Sequence, residues 1–194
     1  MIALAAAKKG ASLIHKVRTY LSAILDEAME QRFLSSNPAR KLDKPEVGET
    51  AKPVLTRIQV WQLLATLQGR DCLIFRLLVC CGFRPGELFV LRWNDWEPGQ
   101  LRIDEAIWQG HIGKPKTVGS ATVVYIPPQA EKELAEWKIA RQPVSDEEFI
   151  FTDGCRPLNK REWMEESLRP GAASLKIPLV TYQVLHLDAK VRYD

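Results

Sequence analysis

Two short stretches of this sequence carry residue types that could handle a phosphate. The first runs Cys-Gly-Phe-Arg-Pro-Gly-Glu-Leu from Cys81, and sets Arg84 between Gly82 and Gly86 at the break between two helical patterns. A guanidinium in that setting can lie against a phosphate with the backbone close by. Glu87, three residues on, can accept hydrogen bonds from neighbouring backbone or from the arginine itself. A surface turn with a local ion pair would read the same way. The second stretch, residues 113–128 (GKPKTVGSATVVYIPP), is a basic hairpin tip carrying Lys114 and Lys116 ahead of an alternating strand. A lysine so placed can be lowered into a nucleic-acid groove as a point charge or proton donor. Two lysines on a solvated turn also fit the pattern.

The rest of the composition sets wide bounds. The chain has 194 residues, 46% hydrophobic and 26% charged, with a formal net charge of +3. That length can bury one or two compact cores, and the mild basic excess admits a nucleic-acid partner without requiring one. The four cysteines, Cys72, Cys80, Cys81 and Cys155, form no C-x-x-C pair and read as buried free thiols of a reducing compartment. His15, His111 and His186 have no ligand-like spacing to them, so no metal is expected. The apolar-then-basic start is the reverse of a secretory signal, and no apolar run approaches bilayer length. A cytoplasmic protein is expected.

Periodicity predicts the elements that must position the two stretches. Leu13, Val17, Leu21, Ile24, Leu25 and Ala28 form one helical stripe, with Ser12 as N-cap and Asn37-Pro38 as the stop. One amphipathic stripe needs a partner, which makes residues 1–44 part of a helical domain. The charged, proline-bearing segment 45–54 reads as a linker, and residues 55–194 as a second unit. There Thr56 to Gln59 fits a capping box before Val60, Leu63, Leu64 and Leu67, with Gly69 closing the helix. Residues 71–81 are apolar on nearly every side and predict a central helix. Pro85 fits the first position of the next short helix. Strands are expected over 101–104, 106–110 and 121–126, with the turn 113–119 joining the last two. Helices follow over 129–140 and 159–168, the latter ended by Pro170-Gly171, with a buried run at 149–151 between them. The fold class is mainly α with a small antiparallel β-sheet (α+β).

An arginine box, about thirty residues of strand, then a P-K-T hairpin and a V-x-x-I-P-P strand end resembles the layout of tyrosine recombinases of the phage-integrase class. LTRIQVWQLLATL is similar to that family's opening helix of the catalytic domain, and HKVRTYLSAILDEAMEQRFLSSNPARKL to the last helix of its DNA-embracing core-binding domain. The resemblance implies that Arg84 is the first catalytic arginine, gripping the scissile phosphate, with Glu87 as its acidic partner. It implies that Lys116 protonates the departing 5′ hydroxyl, and that Lys114, Lys16 and Arg18 contact DNA. A tyrosine attacks the phosphate in that family, so neither metal nor ATP is implied as a cofactor. The implied partner is double-stranded DNA, on which family members assemble as tetramers.

The pattern departs at the second box, His-x-x-Arg in the family. Here Gln183 stands in the histidine's place and His186 in the arginine's, and a histidine cannot make the bidentate phosphate contact of an arginine. Residues 187–194 (LDAKVRYD) do not continue the expected helix. Tyr20, Tyr125 and Tyr182 fall in a helix, a strand and a strand-like run, and Tyr193 follows His186 too closely to be the nucleophile. The expectation is a truncated or frameshifted integrase that binds DNA without cleaving it and does not form an ordered assembly. Two alternatives stay open. One is a non-catalytic DNA-binding module that also uses Arg40 and Lys41; the other is a helical scaffold whose six tryptophans anchor protein contacts.

Overall fold

The structure, a computed structural model, describes residues 11–42, 54–113, 122–142, 144–178 and 180–185. Contacts divide the chain into a unit of residues 1–51 and a unit of residues 52–194.

In the first unit, α1 spans Ala11–Glu30. It ends seven residues before the expected Asn37-Pro38 stop. Arg32 adopts the left-handed conformation (φ 63°), Phe33 N–H reaches Ala28 O at 2.8 Å and Arg32 N–H reaches Met29 O at 3.0 Å. Those two bonds make a Schellman closure that uses arginine where glycine is usual. Ser12 lies inside the helix rather than capping it. Asn37-Pro38 instead opens a 3-10 turn, Pro38–Lys41. Buried Asn37 ties that turn back to α1: its amide donates to Ser22 O (3.0 Å) and Asp26 Oδ1 (2.6 Å), and its Oδ1 accepts from Ala39 N–H (2.9 Å). The apolar stripe is only partly covered, since Ile14 is buried while Leu13, Leu21 and Ile24 are exposed.

The second unit holds the main core. Helix α2 (Arg57–Thr66) starts on the expected capping box: Thr56 N–H donates to Gln59 Oε1 at 2.8 Å, and Gln59 N–H to Thr56 Oγ1 at 3.3 Å. Gly69 does not close α2; it opens α3 (Gly69–Cys81) after Leu67 and Gln68 turn extended. Leu73, Ile74, Phe75, Leu77, Leu78 and Val79 of α3 are all buried, which makes it the central helix. Gly82, left-handed at φ 69°, stops it and turns the chain into α4 (Pro85–Leu88).

The strands are β1 (Trp96–Glu97), β2 (Gln100–Ile103), β3 (Ala106–Trp108), β4 (His111–Gly113) and β5 (Thr122–Tyr125). Their pairing differs from the expectation. β5 lies antiparallel beside β2, with Leu101 opposite Val124, in the order β1-β2-β5. β3 pairs instead with β4, Trp108 opposite His111. The turn between them is Gln109-Gly110, both at positive φ (49° and 82°). Positive φ at both central residues gives the type I′ twist that matches a hairpin, and glutamine is an unusual bearer of it. This is why the hairpin was not legible in the sequence.

Helix α5 (Pro128–Ala140) covers α3, and Arg76 of α3 is paired with Glu133 at 2.8 Å. A small hairpin, β6 (Thr152–Asp153) and β7 (Arg156–Pro157), leads into α6 (Lys160–Trp163). The helical run does not stop at Pro170-Gly171. A π-turn over Met164–Leu168 leads into α7 (Arg169–Ser174), with Arg169 N–H bonded to Met164 O. Proline in the first turn of α7 fits because the widened turn needs no donor there. Gly171 of α7 faces the end of α2, where a Cβ would stand 3.5 Å from Leu67 Cδ2, an ordinary van der Waals contact.

No disulfide joins the four cysteines, and they are less uniformly buried than expected. Cys72, Cys80 and Cys81 are half-buried, and Cys155 is exposed next to the left-handed Gly154. Burial, aided by the Cys80 charge, pushes the Cys81 thiol up to about 12. No helix among the described residues is long and apolar enough to cross a membrane, and none of their His, Cys, Asp and Glu side chains form a metal-holding cluster.

Candidate functional site

Arg84 is the residue at which α3 has ended and α4 has not yet begun. Its backbone is extended (φ −71°, ψ 140°), and Pro85 supplies the pre-set first position of α4. Glu87 sits one turn on and folds back: its Oε2 accepts from Arg84 N–H at 3.1 Å, and its Oε1 accepts from Arg84 Nη1 at 2.9 Å. The carboxylate side chain is 12% exposed and the guanidinium side chain 73% exposed. The acid therefore anchors the base of the arginine, while most of the guanidinium's donors face solvent. That is the arrangement for receiving an anion rather than for closing an internal ion pair.

The guanidinium edges an open cleft of about 640 Å³. One wall is the α4 turn from Arg84 to Glu87, and the opposite wall is the β3–β4 hairpin with Ile107 and His111. Lys160 and Tyr182 complete it. The hairpin docks against the α4 turn through Gly86, where a Cβ would fall 2.8 Å from Ile107 O. No real Cβ tolerates that contact with backbone, so alanine must push the hairpin off the arginine turn. Gly86→Ala is expected to lower the melting temperature by several degrees and to shift the amide resonances of both β3 and α4. Unchanged resonances in β3 would contradict that docking.

Tyr182 is placed by a short helical turn, 182–185, not by the strand-like run expected there. Thr181 caps that turn, taking Val184 N–H on its Oγ1 (3.4 Å) and Leu185 N–H on its carbonyl (3.2 Å). The Tyr182 ring stacks on Trp163 of α6 (centroids 6.2 Å, planes 25° apart), and its hydroxyl donates to Lys160 O. Burial pushes the phenol well above its ordinary value. A second cleft, about 760 Å³, opens on the other side of the hairpin; Trp108 and Lys160 line both, and Arg156 lines the second.

The structure therefore brings Arg84 and Glu87 together, as the spacing suggested. Lys114, Lys116 and His186 lie outside the described residues. Lys16 is exposed on α1, and Arg18, half-buried on the same helix, donates from Nη2 to Arg40 O at 3.5 Å. Gln183 is exposed on the turn that carries Tyr182. Sequence reasoning missed Lys160 and His111 as cleft residues. Neither has a motif around it, because each reaches the cleft only through β-hairpin pairing or helix packing.

No family model matches the sequence. In a comparison with curated proteins, the chain is 27% identical over 144 residues to the ICEBs1 integrase of Bacillus subtilis (strain 168). The match takes in 69% of this chain and 39% of that protein, so the chain spans about two fifths of the length of this relative. Among solved structures, the Tn1549 transposon integrase in complex with transposon right end DNA superposes with a TM-score of 0.80. That match is 16% identical and covers 98% of this chain and 69% of that one. A lambda integrase dimer bound to a COC′ core site superposes with a TM-score of 0.66 at 17% identity, over 94% of this chain and 67% of the other. The fold is that of the tyrosine recombinases. In sequence, the chain is similar to one integrase over 144 residues.

Proposed function

We propose that this chain binds double-stranded DNA through its phosphates, as a member of a DNA integration and recombination family, and that Arg84 is its principal phosphate ligand. The observation that carries the reading is the asymmetry of the Arg84–Glu87 pair, with a sheltered carboxylate fixing an outward guanidinium at the lip of a cleft. Glu87 holds the arginine's backbone and one Nη while leaving the outer donors for non-bridging phosphate oxygens. Concentrated positive charge at that point is what would stabilise a pentacoordinate phosphorus in a strand-breaking member of the family. Lys116 and Lys114, on the basic stretch after β4, are proposed to add charge on the same DNA. Lys16 and Arg18 would do so from the residue 1–44 unit, read as part of a core-binding domain joined to the catalytic unit by the 45–54 linker. No metal or nucleotide cofactor enters this account, and a cytoplasmic setting follows from the DNA partner.

We further propose that these 194 residues bind DNA without cutting it. A nucleophile must reach phosphorus with its hydroxyl free, and Tyr182, the tyrosine that lines the cleft, has its hydroxyl committed to Lys160 O. Tyr125 lies on β5 and Tyr20 on α1, neither of them among the cleft residues. A tetramer of the kind seen for a lambda integrase on a Holliday junction is not proposed for this chain alone.

The test is a nicked suicide duplex, whose short released strand traps any covalent intermediate. Mixed with the chain at low salt, it should give a shifted complex on a native gel and no adduct on a denaturing gel. A tyrosine-linked adduct would overturn the non-cleaving reading. Failure to shift any duplex would overturn the DNA reading itself and favour a protein-binding scaffold.

A further inference from the structure

We propose that Lys160 is a second phosphate-contacting cation of the Arg84 cleft, and that Tyr182 is the positioning residue that holds it there. The inference rests on the DNA-binding reading above and extends it to two residues that no motif marks.

The Lys160 backbone is fixed by a helix cap and by a long-range hydrogen bond. Asn159 caps α6, its Oδ1 accepting Arg161 N–H at 2.9 Å, so the helix begins at Lys160. The carbonyl of Lys160 receives the Tyr182 hydroxyl, which joins α6 to the 182–185 turn across 22 residues of sequence. The Tyr182 ring is clamped by the stack on fully buried Trp163, which itself packs on Phe89 with centroids 5.8 Å apart. A flexible lysine stem thus leaves a backbone that is pinned from both sides.

Charge comes next. Lys160 lines both the Arg84 cleft and the cleft beyond the hairpin, so its ammonium can reach a phosphate on either side of the β3–β4 ridge. The acid closest to it on the same helix, Glu162, is hydrogen-bonded to Asn159 Nδ2 at 3.1 Å. Among the described residues the one carboxylate lining the Arg84 cleft is Glu87, and that is bound to Arg84. No described ion pair competes for Lys160. A diester backbone carries its phosphates at regular intervals, and two cations lining one cleft fit adjacent phosphates better than one. Tyr182 is thereby accounted for as a fixed donor, which explains why a cleft tyrosine is stacked and hydrogen-bonded rather than free.

The experiment measures duplex DNA affinity as a function of salt for the full chain and three variants, with melting temperature as the folding control. Lys160→Gln should reduce the magnitude of the slope of log K against log salt by about 0.9, one phosphate's worth, and Lys160→Arg should restore it. Tyr182→Phe keeps the ring and its stack and removes the hydroxyl bond. It should weaken binding in the Lys160 background and have no further effect when combined with Lys160→Gln, because its action passes through the lysine. Should Lys160→Gln leave the slope of a DNA-binding wild type unchanged, the inference fails while the DNA reading stands. Additive losses from Tyr182→Phe in both backgrounds would sink the positioning role. A wild type with no salt-dependent binding would overturn the DNA reading and this inference together.

Discussion

Replacing Trp163 with alanine is expected to lower the unfolding free energy by about 3–5 kcal/mol, the range for removing a large aromatic from a packed core. Trp163 is 1% exposed and meets Phe89 on one side and the Tyr182 ring on the other. Its indole N–H has no hydrogen-bond partner, so what the substitution removes is packing. Chemical denaturation read by fluorescence or circular dichroism measures this directly. A loss below about 1 kcal/mol would mean that α6 does not pack as described. The consequence reaches the site, because a chain that survives the change would also lose the surface on which Tyr182 rests. Relaxation of the 182–185 turn should then appear as faster amide exchange at Val184 and Leu185, whose N–H groups bond to Thr181.

Arg84→Ala should weaken duplex DNA binding roughly tenfold at low salt, the scale of one charge-assisted hydrogen-bonded contact on an exposed group. The loss should be uniform across DNA sequences, since phosphates carry no base information. Two effects act together. The guanidinium is removed, and Glu87, freed from its partner, turns a negative charge toward the same phosphate. Arg84→Lys should recover part of the loss, because it restores charge without the planar fork. A change of under twofold, or one confined to a particular DNA sequence, would remove Arg84 from the phosphate-binding role. Fluorescence anisotropy with several unrelated duplexes of equal length distinguishes these outcomes.

The parts of this protein legible in its sequence are those fixed by local chemistry. The Thr56–Gln59 capping box, the Gly82 stop, Pro85 at the start of α4 and the Glu87-to-Arg84 return are all interactions between residues within four positions of each other. Each is announced by residue type and spacing. The α+β class follows equally from period, because the continuous apolar run of α3 and the short alternating strands behave differently from one another. What sequence did not reveal depends on pairing at a distance or on a rare backbone choice. The β3–β4 hairpin turns on glutamine in a left-handed conformation, and α1 ends on an arginine in the same region, so neither carries the usual glycine or asparagine mark. Pro170-Gly171 reads as a stop, and is instead accommodated by the π-turn before it. Lys160 enters the cleft because Tyr182, 22 residues away, holds its carbonyl, and no spacing rule anticipates that bond.

The central claim is that this chain grips DNA by its phosphates, and the most direct measurement is duplex affinity between 50 and 200 mM salt. Each phosphate neutralised contributes about 0.9 to the slope of log affinity against log salt. Two contacts therefore require a fall of at least about tenfold across that range, and any added by the lysines beyond β4 or by α1 would steepen it. A fall of that size on duplexes of unrelated sequence is the predicted result. Affinity that does not change with salt, or no binding at 50 mM, would contradict it.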